Sequence, residues 1–352
     1  MPDRLASILL GPAGRLYGIV MSIRNALYDR GILKAWRSPV PVVSVGNITT
    51  GGTGKTPLVD WIIRFYHAHG RKTAIISRGY GRQTKGARLV SDGSSILLGS
   101  RDAGDEIAML AARNPSAIVI VAEKRQEGVE LLMREFAGRM PDVIVLDDAF
   151  QHRAIARDLD IVVINAQEPF GGKRMLPAGR LREPLRGLQR ADIFIQNKIT
   201  DEKRAATIID VLKQTGKPVV LSRIMPGNLV PVSDEPQRPL RVLAFAGIGA
   251  PEGFLHSLGE AGIEVIASRF FRDHQPYTIE SVRSIVADSN RLGLTPVTTE
   301  KDWFRIREES TLAATLERAG CRYLPIEPDL FEGRAMLESM LIALRMGDAP
   351  DS

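Results

Sequence analysis

The chain has 352 residues, enough for more than one hydrophobic core, and its 44% hydrophobic and 25% charged residues are typical of a globular protein. One cysteine excludes an internal disulfide, and five histidines without a Cys/His cluster offer no zinc site. The formal net charge of +6 favours an anionic lipid surface or a phosphorylated substrate. No nucleic-acid recognition module is found, so no nucleic-acid partner is expected, and no obligate protein partner is predicted.

The N-terminal segment, residues 1–34, alternates apolar and basic side chains. Gly11-Pro12 interrupts it, and its apolar runs are too short for a membrane-spanning helix or a signal peptide. The composition is typical of an amphipathic helix lying on an anionic membrane surface. An amphipathic helix packed against the protein's own core would have the same composition. The segment alone leaves both interpretations open.

The most informative motif follows a short β-branched run, Val42–Val45. Residues 49–56 read Thr-Thr-Gly-Gly-Thr-Gly-Lys-Thr and lead into apolar residues at helical spacing. A strand, a glycine-rich turn and a helix N-terminus form the setting in which backbone amides wrap a phosphate chain. Lys55 can reach the β- and γ-phosphates, and the Thr56 hydroxyl can contact Mg²⁺. Thr49 stands where the strict pattern has glycine, and an additional glycine inside the loop compensates for it.

The motif therefore predicts binding of a nucleoside triphosphate. The guanine-reading pattern Asn-Lys-x-Asp is missed by one residue at residues 197–201, so ATP is the expected nucleotide. The predicted ATP-binding residues are Thr49, Thr50, Gly51, Gly52, Thr53, Gly54, Lys55 and Thr56.

Short apolar strands recur between helical stretches along the rest of the chain. Continuous β-branched runs indicate strands buried on both faces, which predicts a P-loop NTPase-like α/β fold with a mostly parallel sheet and helices on both faces. The proline-rich residues 226–240 indicate a connection to a second, smaller α/β domain. The predicted division is 1–34 for the amphipathic segment, 35–228 for the nucleotide-binding and catalytic domain, and 229–352 for the smaller domain. The last helix of that range could pack on the first domain instead.

Carboxylates and a histidine stand at positions suited to catalysis. Asp147 and Asp148 end an apolar strand, where phosphate-loop proteins place the acidic residue that holds Mg²⁺; a surface turn is the alternative. Asp105 begins a predicted helix and is either a functional carboxylate or an N-cap. His274, in the second domain, is by itself a weak candidate for a general base.

Two loops carry paired arginines, Ser77–Arg82 and Leu176–Pro184. Arginine forks suit phosphates and sugar hydroxyls, and solvated surface charge is the alternative. Gln151 and His152 follow the aspartate pair, where the histidine has either a functional or a structural role.

Taken together, these segments resemble the tetraacyldisaccharide 4′-kinase family of lipid A biosynthesis. The resemblance covers residues 44 to about 302 in the expected order. It implies transfer of the ATP γ-phosphate to the 4′-hydroxyl of tetraacyldisaccharide 1-phosphate by a peripheral protein at the cytoplasmic face of the inner membrane, with Mg²⁺. The matching stretches are residues 45–57, 77–82, 104–106, 146–153, 176–184, 245–249 and 271–274.

The resemblance also implies roles for individual residues. Asp105, paired with His274, would activate the sugar hydroxyl, and Lys55 would be the third catalytic residue. Mg²⁺ would lie near Thr56, Asp147 and Asp148. The implied lipid-substrate contacts are Arg78, Tyr80, Arg82, Gln151, His152, Arg180, Arg182 and Glu183.

Two rival functions are weighed against this interpretation. The first is a nucleotide-switch ATPase that drives a protein partner; such switches usually carry a lysine at the position of Thr50. The second is a non-catalytic membrane-binding module, against which the phosphate loop and the carboxylates argue. An acylated substrate favours the membrane interpretation of residues 1–34.

Overall fold

The computed structural model describes residues 10–199, 202–233, 241–273 and 275–344. The strands in these ranges are β1 (Val42–Gly46), β2 (Thr73–Ser77), β3 (Arg88–Asp92), β4 (Ile118–Val121), β5 (Val143–Asp147), β6 (Leu159–Asn165), β7 (Ile193–Asn197), β8 (Val219–Pro226), β9 (Val230–Pro231), β10 (Arg241–Ala246), β11 (Glu264–Phe270), β12 (Thr295–Thr299), β13 (Arg322–Leu324) and β14 (Ile326–Glu332). The helices are α1 (Gly11–Asp29), α2 (Lys55–Ala68), α3 (Ser100–Ala103), α4 (Asp105–Arg113), α5 (Arg125–Glu135), α6 (Glu202–Lys213), α7 (Pro251–Glu260), α8 (Ile279–Leu292), α9 (Glu300–Ile306), α10 (Ser310–Arg318) and α11 (Arg334–Ile342).

The larger sheet has nine strands in the order β14-β8-β7-β6-β1-β5-β2-β4-β3. All neighbouring pairs are parallel except at the two edges, where β3 pairs with β4 and β14 pairs with β8 antiparallel. Every residue of β1, β2, β5 and β7 is buried. Alternate residues of these strands enter cores on opposite faces. One face packs on α2 and α4; on the other face, β1, β2 and β5 pack on α5, and β7 packs on α6.

A smaller sheet has five strands in the order β11-β10-β12-β13-β9. Its central strands are parallel, and helices α7 and α8 supply apolar side chains to two separate cores. The predicted fold class, a mostly parallel sheet with helices on both faces plus a smaller α/β unit, is confirmed.

The last described strand and helix, β14 and α11, pack on the larger sheet. Strand β14 pairs with β8, and Leu337 and Leu341 of α11 enter the core beside α2. The Tyr66 hydroxyl donates to the Leu341 carbonyl at 3.1 Å. The predicted domain ranges stay a prediction; within them, Ile326–Glu332 and α11 pack on the larger sheet, the position that the prediction left open for the last helix. As an edge strand with one exposed face, β14 carries charged residues and a proline, so it lacks the continuous apolar run of a central strand.

Helix α1 points its apolar face towards solvent. Leu16, Ile19, Val20 and Ile23 are each more than half exposed, whereas the small or polar Gly14 and Asn25 are buried together with Met21. The interpretation of an amphipathic helix that packs its apolar face on the protein's own core is therefore wrong for α1. Residues 1–9, which also belong to the predicted amphipathic segment, lie outside the described residues. Among the described helices none has the length and apolar character needed to cross a membrane.

Candidate active site

The phosphate loop, residues 49–56, connects β1 to α2. Gly51 and Gly54 adopt φ of 109° and 84°, a region that residues with a side chain rarely adopt. A Cβ at Gly54 would also collide with the side-chain amide of Asn197, which donates to the Thr53 carbonyl at 3.1 Å. Glycine is required here because both the backbone conformation and the neighbouring amide exclude a side chain.

The asparagine and lysine of the incomplete guanine pattern contact the phosphate loop. Asn197 ends β7, and the Nζ atom of Lys198 donates to the Gly52 carbonyl at 2.9 Å. Lys198 has a positive φ of 59°, and burial lowers the pKa of its ammonium group. Asn197 and Lys198 therefore support the phosphate loop, a role that the sequence analysis did not assign.

The arginine loop Leu176–Pro184 holds the other side of the phosphate loop. The backbone N–H of Thr50 donates to the Arg180 carbonyl and that of Arg182 to the Ile48 carbonyl, each at 2.8 Å. The Asn47 side chain donates to the Thr49 carbonyl at 2.8 Å and contacts Thr53 Oγ1 at 3.2 Å. The phosphate loop is thus held by hydrogen bonds to the arginine loop and to Asn47.

The aspartate pair lies beside this loop because β5 is the neighbour of β1, with Asp147 in register with Val45. Asp147 is buried and accepts a hydrogen bond from Ser77 Oγ at 2.9 Å. Burial, Asp148 and Glu106 raise its pKa to about 6.

Asp148 is engaged differently. It has a positive φ of 49°, and its carboxylate lies 3.3 Å from Lys55 Nζ and 2.8 Å from Arg182 Nη1. Burial opposes ionisation of this carboxyl, but Lys55 and Arg182 outweigh it and lower its pKa. The surface-turn alternative fails for the pair, because Asp147 is buried and the Asp148 carboxylate fixes the phosphate-loop lysine.

Asp105 is the first residue of α4, and Gly104 occupies the N-cap position with a φ of 91°. The N-cap alternative for Asp105 is therefore wrong. Arg305 Nη1 lies 3.3 Å from Asp105 Oδ2. The next residue, Glu106, lies 3.5 Å from Thr56 Oγ1 and 3.3 Å from Lys301 Nζ, which joins the first turn of α4 to both the phosphate loop and α9.

A cavity of about 650 Å³ opens between the two sheets beside Asp105. It is lined by Tyr80, Gly81, Asp105, Asp273 and Arg305. His274, the predicted partner of Asp105, lies outside the described residues, and its neighbour Asp273 lines the cavity. Elements from both sheets thus meet at the carboxylate that was predicted to activate the acceptor.

The predicted substrate-binding residues differ in how far their side chains are exposed to solvent. Arg78, Tyr80 and Arg180 are exposed. Arg82 is almost fully buried and pairs with Glu123 at 2.6 Å, and Arg182 holds Asp148 as described above. Arg180 also pairs with Glu168, so exposure and not the absence of a partner distinguishes the first group, for which substrate contact remains a prediction.

Glu183, Gln151 and His152 are engaged as well. Glu183 is fully buried and accepts hydrogen bonds from Asn25 Nδ2 and Gln151 Nε2, both at 2.9 Å. The predicted contact between Glu183 and the substrate is therefore corrected: its carboxylate bonds to side chains of the protein itself. His152 Nε2 accepts the backbone N–H of Arg125 at 3.2 Å. Burial and the surrounding arginines lower the His152 pKa to about 4, which keeps the imidazole neutral.

Comparison with known proteins agrees with this geometry. A family model described as tetraacyldisaccharide-1-P 4′-kinase matches residues 6–345. The chain belongs to this family. The tetraacyldisaccharide 4′-kinase of Chlorobaculum tepidum is 64% identical to it over 345 residues, covering 97% of this chain and 99% of the relative. The protein of that name from Chlorobaculum parvum is also 64% identical, over 348 residues, covering 98% of this chain and 96% of the relative.

The fold agrees with that of a solved member of the tetraacyldisaccharide 4′-kinase family. LpxK from Aquifex aeolicus, solved in complex with ATP, superposes with a TM-score of 0.74 at 29% identity, covering 96% of this chain and 99% of that one. The predicted family, and the kinase reaction that its name states, are confirmed. No role was predicted for Glu106, Arg305 or the Asn197-Lys198 pair. Glu106 lies in the matching stretch 104–106 and the pair lies in a near-match to a nucleotide motif, whereas Arg305 had no local signal.

Proposed function

We propose that this chain transfers the γ-phosphate of ATP to the 4′-hydroxyl of tetraacyldisaccharide 1-phosphate while it lies on the cytoplasmic face of the inner membrane. The observation that carries the proposal is the set of contacts around the phosphate loop: Lys55 Nζ lies 3.3 Å from the Asp148 carboxylate, and Thr56 Oγ1 lies 3.5 Å from Glu106, the residue next to Asp105. Phosphoryl transfer needs positioning and charge neutralisation more than covalent chemistry, and this arrangement supplies both.

ATP would bind with its phosphates in the loop of residues 49–56. Its backbone amides and the N-terminus of α2 would contact the phosphate oxygens, and Lys55 would reach the β- and γ-phosphates. The Asp148 carboxylate lies 3.3 Å from Lys55 Nζ and so limits the positions that the ammonium group can take. The ATP complex of the Aquifex aeolicus relative supports ATP as the nucleotide.

The residues around Thr56 fit a Mg²⁺ ion. Among the described residues no group of three or more His, Cys, Asp or Glu side chains is arranged as a metal site of its own. Mg²⁺ prefers oxygen ligands and commonly retains water and phosphate oxygens beside one or two carboxylates, so Thr56 and Asp147 suffice as the protein's share. Asp147 suits this role better than Asp148, which is bound to Lys55 and Arg182. When bound, the ion would neutralise charge on the transferred phosphoryl group.

Asp105 would act as the general base. The oxygen of the 4′-hydroxyl attacks the γ-phosphorus while its proton passes to the Asp105 carboxylate. The bond between the γ-phosphorus and the bridging oxygen breaks, and that oxygen leaves with ADP. His274 remains the predicted partner of Asp105. The cavity beside Asp105 would admit the acceptor sugar, and the exposed Arg78, Tyr80 and Arg180 remain the candidates for contacts to its phosphate and hydroxyl groups.

Helix α1 would bring the site to the acylated substrate. Its exposed apolar face is flanked by exposed basic residues, the arrangement that favours an anionic membrane interface. The opposite face of α1 contacts the arginine loop: the Tyr17 hydroxyl donates to the Arg182 carbonyl at 2.9 Å, and Asn25 donates to Glu183. A membrane-bound α1 would therefore hold the cleft next to the lipid surface. These exposed basic residues are Arg15, Arg30 and Lys34 of the N-terminal segment, and Lys173 and Arg174, which precede the arginine loop.

The decisive experiment measures whether the labelled γ-phosphate of ATP is transferred to the lipid. The full chain is incubated with Mg²⁺, ATP labelled at the γ-position and acylated disaccharide 1-phosphate in detergent micelles, and the lipid is separated. We expect label in the lipid, and none when Lys55→Ala replaces the wild type. ATP hydrolysis without labelled lipid, stimulated by a protein partner, would instead support a nucleotide-switch ATPase.

A further inference from the structure

The loop Phe245–Gly249 belongs to the family resemblance but has no part in the transfer described above. Its Gly247 leaves no room for a side chain, because a Cβ there would lie 2.7 Å from Arg305 Nη2 and 3.4 Å from Asp302 Oδ1. The Gly247 backbone N–H donates to Asp302 Oδ2 at 3.1 Å. This glycine loop is therefore shaped around an ion pair between Arg305 and Asp302, both on α9.

The Arg305 guanidinium is fixed on several sides. Its Nη2 atom pairs with Asp302, whose side chain is fully buried and also contacts Thr299 Oγ1 at 2.6 Å. The guanidinium carbon lies 5.1 Å from the centre of the Tyr277 ring, a cation–π distance. The Arg305 side chain is only 12% exposed. A guanidinium held in this way has one orientation.

That orientation aims Nη1 across the boundary between the two sheets. Its partner there is Asp105 Oδ2, 3.3 Å away and 200 residues distant in the chain. Both residues line the cavity of about 650 Å³ between the two sheets. Tyr277 also packs edge-on against Phe271, with ring centres 5.1 Å apart, so the same cluster supports the segment that precedes Asp273.

We propose that Arg305 is a positioning residue for Asp105: it holds one carboxylate oxygen and so directs the carboxylate at the acceptor hydroxyl. The inference rests on the proposed function, in which Asp105 is the base. Asp302 compensates the charge of Arg305, so the pair orients the carboxylate more than it stabilises its ionised form. Orientation of a reacting group accounts for a large share of catalysis, and small misplacements cost about a hundredfold in rate.

Three variants of the full chain test the proposal in the labelled-lipid assay. Arg305→Gln removes the charge, and Arg305→Lys retains it. Arg113→Gln is the matched control: Arg113 is 14% exposed and also joins α4 to α9, through Glu300 at 3.0 Å, but does not line the cavity. The thermal unfolding of each variant shows whether a loss of activity is caused by a loss of folded protein.

We expect Arg305→Gln to lower kcat about a hundredfold with the KM values for ATP and lipid changed less than about threefold. Arg305→Lys should regain about tenfold of that loss, and Arg113→Gln should keep kcat within about threefold of wild type. The proposal is overturned if Arg305→Gln retains kcat, if it raises only the KM for ATP, or if Arg113→Gln loses as much kcat as Arg305→Gln.

A double-mutant cycle separates this inference from the proposed function. If Arg305 acts through Asp105, adding Arg305→Gln to Asp105→Asn causes less than about a twofold further loss in kcat. Additive losses overturn the positioning role while leaving Asp105 as the base. Wild-type kcat in the single variant Asp105→Asn would instead remove Asp105 from the mechanism, and the role of Arg305 with it.

Discussion

The two halves of the cleft are built differently. The phosphate half is held by hydrogen bonds among strand ends of one sheet, where Asn47, Asn197 and the arginine loop each fix part of the phosphate loop. The acceptor half exists only where two sheets meet, and ion pairs such as Arg305 to Asp105 and Lys301 to Glu106 hold it together. ATP binding should therefore survive damage to the acceptor half, whereas phosphoryl transfer depends on both halves.

The largest expected effect tests this separation directly. Asp105→Ala should lower kcat for lipid phosphorylation by about 10²–10⁴-fold, the usual contribution of a general base, and leave the Kd for ATP unchanged. Steady-state kinetics in micelles and nucleotide titration measure the two quantities. Asp102→Ala, three residues earlier and outside the cavity lining, is the control. A parallel loss of ATP affinity in Asp105→Ala would mean that the two halves are not independent.

The difference between the halves also explains what the sequence could reveal. The phosphate loop, its strand and its helix are contiguous, so residues 49–56 predict their own structure. Asp147 is predicted because phosphate-loop proteins place an acidic residue at the end of a neighbouring apolar strand. Arg305 lies 200 residues from Asp105 and is one of 47 basic residues, with no local pattern to distinguish it. The burial of Glu183 was not predicted for a related reason: a charged residue in a basic loop gives no indication that Asn25 and Gln151, both distant in the chain, will bond to it.

The second expected effect concerns how the acceptor half reaches its lipid. Replacing Leu16 and Ile23 of α1 by serine should weaken association with anionic vesicles about ten- to a hundredfold. Each side chain is already partly buried in the protein, so burial of the exposed remainder of both contributes roughly 1.5–3 kcal/mol in total. Both are more than half exposed, so stability should hardly change. Vesicle sedimentation measures the association.

A matched double variant is available on another helix. Met336 and Ile342 of α11 are 50% and 61% exposed, so their replacement by serine removes similar apolar surface. Vesicle association should then stay within about twofold of wild type, because scattered exposed apolar residues are normal on protein surfaces. Equal losses in the two double variants would count against α1 as the membrane-binding element.

A smaller effect tests the rigidity of the phosphate half without nucleotide. Gly54→Ala should lower the free energy of unfolding by about 1–3 kcal/mol, because alanine is strained at a φ of 84° and meets the Asn197 amide. Gly52→Ala, in the same loop, has open space at its Cβ and should change stability by less than about 0.5 kcal/mol. Denaturant unfolding of the nucleotide-free protein compares them, and equal values would show that the loop is not held as tightly as its contacts indicate.

The smallest effect is a pH dependence in the phosphate half. The His152 pKa, lowered to about 4 by burial and by nearby arginines, lies below that of an exposed histidine near 6.5. Between these pH values the unfolded chain binds the extra proton, so this contribution to stability is complete above about pH 6.5 and is lost progressively as the pH falls towards 4. His152→Asn removes the titrating group, so the wild type should lose more thermal stability than this variant between pH 7 and pH 5. Equal losses of thermal stability in the two proteins would show instead that His152 is charged in the folded protein or exposed to solvent. In that case the imidazole would not accept the Arg125 N–H, the hydrogen bond that joins the aspartate turn to α5.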